Sequence, residues 1–192
     1  KPMKHDEWIA HIKTLGGERK YVEPAKGTVN PRVFIDRLAK KMPANVTVVA
    51  DVGQNQIWTC TEYKFRKEGR LLTSGGMGTM GYSVPAAIGA KMADNSRATV
   101  AICGDGAFQM SFMELATAVQ FGVDIKVVVM TNNRLGMVRE LQTNGYHDRQ
   151  TAVFLDGSPD FIKLAEAYGI PAMRVYDDDT MEKGIEMLAE HK

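Results

Sequence analysis

The residues with the greatest chemical reach stand in two short stretches, Gly104-Asp105-Gly106 and Asn132-Asn133. Each follows a β-branched apolar run, ATVAIC over 98–103 and IKVVVMT over 125–131. A strand that turns into a helix through Gly-Asp-Gly lets backbone N–H groups approach a ligand, and the helix start favours an anion. Asp105 sets a carboxylate beside that anion. The two repel unless a cation lies between them, which points to a hard metal such as Mg²⁺. One helix and one strand fill the gap from Asp105 to Asn132, so both emerge at one sheet edge from neighbouring strands. A carboxylate, a carboxamide oxygen and a nearby backbone carbonyl make an oxygen-only half-shell that diphosphate oxygens and water would complete. By itself, Gly104-Asp105-Gly106 also fits an ordinary strand-to-helix turn with Asp as cap.

A second glycine-rich stretch, SGGMGTMGYS at 74–83, contains Gly76-x-Gly78-x-x-Gly81, the string of a dinucleotide-binding loop. That reading needs an acid roughly 20 positions on, at the end of the next strand, to hold a ribose. Asp94 is at that distance but falls in the turn before the strand, and Asp105 ends a strand but comes too late. A dinucleotide-binding redox module is the alternative of another class. A non-catalytic regulatory or assembly domain is the third.

The elements that must position these loops follow from periodicity. NPRVFIDRLAKKM reads as a helix with Asn30 as N-cap and Pro31 at its first position. Val33, Leu38 and Met42 suit its inward stripe, widened by Phe34 and Ile35, and Pro43 closes it. VTVVAD is a buried strand over 46–49 ending at Asp51. QIWTCTEYKF continues as a helix and RLLTS as a short strand. SVPAAIGAKMA is a helix with Asp94-Asn95-Ser96 as its turn. SFMELATAVQFG is a helix ended by Gly122, and RLGMVRELQ is another. SPDFIKLAEAYG is a helix capped by Ser158, started by Pro159 and stopped by Gly169. PAMRVY is a last strand and DTMEKGIEMLAEHK a last helix, for which Asp177-Asp178-Asp179 is turn and cap rather than a metal cluster. The alternation predicts an α/β fold: a three-layer open sheet, mostly parallel, with helices on both faces. Ligands of such sheets sit beyond the carboxyl ends of the strands. There lie Asp51 to Asn55, Ser74 to Gly78, Gly104 to Ala107 and Asn132 to Arg134.

The chain has 192 residues, enough for one domain with a core. Apolar residues make up 44% and charged residues 24%, the profile of a soluble globular domain. A net charge of +1 with scattered Lys and Arg argues against nucleic acid. No apolar run approaches the ~20 residues of a membrane span. Lys1 to Glu7 is polar, so no signal peptide is expected. Cys60 and Cys103 form no CxxC pair and read as small buried or half-buried residues, with a reducing, cytoplasmic setting as default. The opening segment lacks Met and reads as part of something longer. Residues 1–27 are expected to be an interdomain tail, with Trp8, Ile9 and Ile12 on one helical face and a linker from Gly16 to Gly27. The domain proper is expected over 28–192. His5, His11 and His191 fall in exposed ends, and His147 on a solvated loop.

Gly104-Asp105-Gly106, a spacer of this length and Asn132-Asn133 together resemble the thiamine-diphosphate binding motif. VVADVGQNQIW, LLTSGGMGTMGYSVPAAIGAK, GDGAFQMSFMELATAV and NNRLGMVRELQ look like the matching blocks of the acetolactate (acetohydroxyacid) synthase large subunit. The likeness runs from about Thr28 to the C-terminus. It implies that Asp105 and Asn132 give side-chain oxygens, and Arg134 its backbone carbonyl, to Mg²⁺. Gln54, Asn55, Gly104, Gly106, Ala107, Gly136 and Met137 would surround the diphosphate. Gly78 would accept a hydrogen bond from the aminopyrimidine through its carbonyl. Met80 would be the catalytic wedge that bends thiamine diphosphate, setting its amino nitrogen against the thiazolium C2.

The implied reaction is decarboxylative condensation of pyruvate with a second 2-keto acid, in branched-chain amino-acid biosynthesis. The cofactor supplies the electron sink and the protein supplies positioning. The resemblance further implies a same-family subunit, in a homodimer or larger oligomer, that brings the pyrimidine-binding domain and the catalytic glutamate. It leaves room for a regulatory small subunit. The N-terminal pyrimidine-binding and central domains have no counterpart in this sequence, and FAD, where the family carries it, belongs to the full-length enzyme. Glu114 reads as a helix-face carboxylate and no substitute for that glutamate. The chain alone is therefore expected to be inactive and to bind cofactor weakly or not at all. Leu141 stands where biosynthetic members commonly carry Trp. That departure implies a roomier second-substrate pocket and an altered choice between pyruvate and 2-ketobutyrate. It also keeps pyruvate oxidase and glyoxylate carboligase in view as alternatives.

Overall fold

The computed structural model describes residues 5–15 and 21–190. Its strands are β1 (Thr47–Ala50), β2 (Arg70–Thr73), β3 (Thr99–Gly104) and β4 (Lys126–Met130), all parallel, in the order β2-β1-β3-β4. The helices are α1 (Asp6–Leu15), α2 (Pro31–Lys41), α3 (Gln54–Glu62), α4 (Ser83–Ala93), α5 (Asp105–Gln109), α6 (Leu115–Gln120), α7 (Gly136–Gly145), α8 (Phe161–Ala167) and α9 (Asp178–Glu190), with a 3₁₀ turn over Phe112–Glu114.

Strand periodicity sorts the core into two layers. Val48, Val100 and Ile102, with Val128 and Met130, pack against α2, α3 and α9. Val49, Ala101 and Cys103, with Val127 and Val129, pack against α4, α5, α6 and α8. The central strands β1 and β3 read as continuous apolar runs because both of their faces are covered. The chain winds one way from β1 to β2 and the other way from β3 to β4. The strand order therefore reverses between β1 and β3, and their carboxyl ends open a crevice.

Local chemistry accounts for most element ends. Asn30 caps α2 by accepting from the Arg32 N–H at 2.9 Å, and its own amide donates to Val22. The inward stripe of α2 centres on Ile35 and Leu38, with Phe34, Ala39 and Met42 beside them, and Val33 lies at its half-buried margin. Asp177 caps α9, accepting from the Thr180 N–H at 2.8 Å.

Four expectations are corrected. SFMELATAVQFG is not α-helical from its start: after Ser111, at φ −145, Phe112–Glu114 forms the 3₁₀ turn and only then α6 follows, so that Leu115 and Ala118 pack with Phe108 of α5 in one core cluster. Gly122, at φ 58, ends it as expected. Ser158 does not cap α8. Asp160 does, accepting from Ile162 N–H at 2.9 Å, while Ser158 bonds Leu155 and Gln109. PAMRVY is extended but unpaired. Pro171 has no N–H to offer a ladder, the N–H groups of Tyr176 and Asp177 go to Thr180, and Val175 packs on Gly184 of α9. β4 therefore remains an outer strand, half-buried along its length. Cys60 is exposed rather than buried.

Trp8, Ile9 and Ile12 are exposed on α1, which buries no residue. Much of the expected linker, residues 16–20, lies outside the described residues. Among the described residues no helix is long and apolar enough to cross a membrane.

Candidate cofactor site at the carboxyl edge

Three helices begin at the carboxyl ends of strands. α3 starts just after β1, α5 directly after β3, and α7 after the short loop that follows β4. None of the three has a side-chain N-cap. Their first amide N–H groups lack intrahelical partners and carry the positive end of the helix dipole, the arrangement that attracts an anion.

Two buried aspartates organise this edge. Asp51, fully buried at the end of β1, accepts from Val52 N–H (2.8 Å) and Gly81 N–H (3.0 Å) through Oδ1 and from Ser83 N–H (2.7 Å) through Oδ2. It thereby clamps the 74–83 turn to the sheet. Gly81 has φ +82, and a Cβ there would meet the Cβ of Met110 at 2.9 Å, so this turn requires glycine on both counts. The clamp sets Met80 beside the second aspartate's loop. The Met80 Cε lies 3.6 Å from where a Cβ on Gly106 would stand. Gly78, at φ 63, lies in the exposed part of the same turn.

Asp105 is 1% exposed. Its Oδ1 accepts from Gly106 N–H at 2.9 Å, and its Oδ2 from Asn132 N–H at 3.0 Å and Asn133 N–H at 2.6 Å. The Asn132 carboxamide oxygen in turn accepts from Arg134 N–H at 2.9 Å. Asn133 takes φ 54, a conformation asparagine tolerates better than most residues. Asp105 thus ties the loop after β4 to the end of β3, and lone pairs remain on its Oδ1 and on the Asn132 oxygen. Among the described residues, no hydrogen bond ends on the Arg134 carbonyl oxygen. Neither Asp51 nor Asp105 has a Lys or Arg partner among the described residues. A buried carboxylate met only by amide dipoles is suited to a cation from outside.

A short ribbon supports the loop. Leu135 N–H donates to Val153 and Leu155 N–H to Asn133, at 2.8 and 2.9 Å. The Leu135 and Leu155 side chains approach Gly106, and the Arg134 guanidinium lies 4.5 Å from the centre of the Phe154 ring. Nothing in the sequence reading singled out 153–155, because the pairing joins residues with no common motif. Asn55 is buried at the crevice, and its Nδ2 donates to Asp51 O (2.9 Å) and Ile102 O (3.1 Å), bridging β1 and β3. Gln54 Oε1 lies against Gly136, in the space that a Cβ there would take.

One cavity of about 1390 Å³ runs along this edge and on beneath the free side of β4. Every residue that the resemblance assigns to the cofactor, metal or substrate site borders it except Gly78 and Leu141. Leu141 is 62% exposed on α7. Glu114 accepts from the Thr117 hydroxyl on the 3₁₀ turn, and His147 sits in an exposed loop. Cys103 is a core thiol, raised well above the ordinary range by burial and then by the Asp51 charge. Asp94, the acid at ribose-binding distance from the 76–81 glycines, is committed to Ser96 and Arg97 at the opposite edge. Among the described residues no three His, Cys, Asp or Glu side chains gather as a metal cluster. Asp105, Asn132 and Arg134 offer oxygen donors, the kind of atom that a hard cation takes together with the oxygens of an anionic ligand.

Residues 51–192 match the family described as thiamine pyrophosphate enzyme, C-terminal TPP binding domain. The chain is 39% identical over 186 residues to the acetolactate synthase large subunit of Lactococcus lactis subsp. lactis (strain IL1403), covering 96% of this chain and 32% of that protein. It is 33% identical over 189 residues to the acetolactate synthase isozyme 2 large subunit of Escherichia coli (strain K12), covering 97% and 34%. Against the probable acetolactate synthase large subunit of Methanocaldococcus jannaschii it is 42% identical over 172 residues, covering 90% and 29%. The chain spans about a third of the length of these relatives. The buried Asp105, the Asn132-Asn133 loop and the uncapped helix starts all fall within the matched residues, and the chain belongs to the thiamine pyrophosphate enzymes, as their C-terminal TPP-binding domain.

Proposed function

We propose that this chain is the diphosphate-binding part of an acetolactate synthase, which joins pyruvate to a second 2-keto acid with loss of carbon dioxide in branched-chain amino-acid biosynthesis. The observation that carries this reading is the grip of Asp105 on the amides of both Asn132 and Asn133, beside three uncapped helix starts. Asp105 and Asn132 side-chain oxygens and the Arg134 carbonyl would hold Mg²⁺. The first amides of α3, α5 and α7, with Gln54, Asn55, Gly104, Gly106, Ala107, Gly136 and Met137 around them, would orient the diphosphate. Thiamine diphosphate, when bound, supplies the electron sink for the carbon–carbon chemistry.

The chain's own contribution is positional. Asp51 fixes the 74–83 turn, and with it Met80 as wedge and the Gly78 carbonyl as acceptor for the aminopyrimidine. Leu141, exposed on α7, would border the second-substrate pocket only in the complete enzyme. Glu114, which accepts from the Thr117 hydroxyl, is not the glutamate that protonates the pyrimidine in this reading. A same-family subunit would supply that glutamate with its pyrimidine-binding domain, in a homodimer or larger assembly. Any FAD or regulatory small subunit would belong to that assembly. A cytoplasmic setting accords with the two free thiols.

The test is calorimetry with Mg²⁺ and thiamine diphosphate, with NAD as control. It uses this chain fused behind the preceding two-thirds of the Lactococcus lactis relative. Binding of the former and not of NAD is expected, with pyruvate turnover by the fusion and none by the 192-residue chain alone. NAD binding, or no binding of thiamine diphosphate by the fusion, would overturn this assignment, and pyruvate turnover by the chain alone would overturn the expectation that it is inactive by itself.

A further inference from the structure

Gln54 is the first residue of α3 and forms part of the wall between the main cavity and a second, polar one lined by Glu140, Arg139, Thr143 and Asp148. Its carboxamide has two unlike ends, and Glu140 decides which faces where. Gln54 Nε2 donates to Glu140 Oε2 at 2.8 Å. An ionised carboxylate only accepts hydrogen bonds, so it can take the NH₂ end of the amide and never the oxygen end. The oxygen is thereby turned towards Gly136, at the start of α7, and Gln54 and Gly136 both line the main cavity. That is the side on which a diphosphate would sit, and a carbonyl oxygen there repels an anion that an N–H would attract.

We propose that Glu140 is a positioning residue that opposes diphosphate binding, by holding the Gln54 carboxamide with its acceptor end towards the site. The inference rests on the diphosphate reading above. Nε2 keeps a second hydrogen, but the position nearest Gly136 is held by the oxygen; for Gln54 to donate to a diphosphate from that position its amide must turn over, and its oxygen then meets the Glu140 carboxylate. Two acceptors face each other in that state, so binding must break the Gln54–Glu140 bond without a replacement. A glutamine at 140 has both a donor and an acceptor and satisfies Gln54 in either orientation. Glu140→Gln therefore removes the bias while keeping size and contacts.

The experiment follows the ¹⁵N spectrum of the chain during titration with Mg²⁺ and inorganic pyrophosphate, which detects millimolar binding without any turnover. The variants are Glu140→Gln, Gln54→Ala, the two combined, and Asp105→Asn as the control for the site itself. Glu140→Gln is expected to bind about threefold to tenfold tighter than the parent, the partial loss of a charge-assisted hydrogen bond in a solvent-accessible place. In the Gln54→Ala background the same change should give less than about a twofold gain, the residue of simple charge removal. The Gln54 side-chain amide signal should move with pyrophosphate in the parent and start from a different position in Glu140→Gln. Equal or weaker binding by Glu140→Gln, with parent binding still abolished by Asp105→Asn, overturns the proposal and leaves the diphosphate reading standing. A gain that persists undiminished without Gln54 also overturns it, because Glu140 then acts by charge alone. Absence of any Asp105-dependent binding in every variant overturns the proposal, while the diphosphate reading is judged by the calorimetry of the fusion.

Discussion

The two edges of the sheet use charge in opposite ways. At the amino-terminal edge, basic side chains close the structure on itself. Arg97 donates to the carbonyls of Asn45 and Glu68, both at 2.8 Å, and pairs with Asp94 at 2.9 Å. Lys91, buried at the end of α4, donates to the carbonyls of Asn95 and Arg97. At the carboxyl edge the buried charges are acidic, and backbone amides rather than bases answer them. The first edge is a closed network in which backbone carbonyls and Asp94 answer the basic groups. The second keeps a buried carboxylate at Asp105 and helix starts without side-chain caps at α3, α5 and α7, the two features on which the proposed metal and diphosphate site rests.

Removing Asp105 should break this contrast most severely. Asp105→Ala leaves the N–H groups of Gly106, Asn132 and Asn133 without their acceptor, and the variant should lose about 2–4 kcal/mol of stability. It should also lose Mg²⁺-dependent binding of thiamine diphosphate in the fusion, beyond the reach of calorimetry. Urea denaturation reads the first effect. A variant as stable as the parent would show that Asp105 does not hold the loop.

Asp51→Asn asks whether the other buried acid is a clamp or a ligand. One oxygen becomes an NH₂ that faces an amide N–H of Gly81 or Ser83, so a loss of about 1–3 kcal/mol is expected. Hydrogen exchange should accelerate at Gly81 and Ser83 before it does in β1. Mg²⁺ affinity should change little, because the other proposed ligands, Asn132 and Arg134, stand on the loop that Asp105 holds and not on the turn that Asp51 holds. A collapse of Mg²⁺ affinity equal to that of Asp105→Ala would make Asp51 a ligand.

The two acids also differ in how far the sequence disclosed them. Asp105 was legible because the strand-end rule, a Gly-Asp-Gly turn and Asn132 one crossover later all point to the same edge. Asp51 was visible only as a strand end. Its partners lie 30 and 32 residues away, and no local pattern says that the end of β1 meets the turn before α4. PAMRVY failed for a related reason. Its alternating apolar residues need a surface, and α9 provides one as readily as a neighbouring strand would. Ser158 and Asp160 are both competent caps two positions apart. The choice between them was made by Gln109, 49 residues from Ser158, which draws the hydroxyl away. Strands β1, β3 and β4 were legible because burial on both faces, or nearly so, writes continuous β-branched runs.

Arg97→Ala tests the closed edge. It strands the carbonyls of Asn45 and Glu68 and unpairs Asp94, at a cost of about 1–3 kcal/mol. Binding at the far edge should be unchanged, measured by the same calorimetry in the fusion. A matching loss of affinity would mean that the two edges are coupled through β3 and that the contrast between them is not functional.

The smallest expected effect comes from α8, the capped counterpart of the open helix starts. The Ile162 N–H, the strongest influence, together with the Lys163 N–H and Arg174, holds the Asp160 carboxyl below the ordinary aspartate range, against partial desolvation. Its proton is thus bound more weakly in the folded chain than in the unfolded one. The stability it contributes is fully present above the unfolded pKa, and it disappears as pH falls through the folded value. Asp160→Asn keeps a competent cap and removes the titration. The difference in urea midpoint between parent and variant should be flat from neutral pH down to about pH 5, then shift against the parent as pH approaches about 3. The shift should be slight, because the group is exposed and salt screens its attraction to Arg174. High salt should remove the Arg174 share and leave the share due to the cap. A difference that stays flat to pH 3 would show that the α8 cap carries no charge-dependent stability, and that α8 is no better served by its aspartate than α3, α5 and α7 are by none.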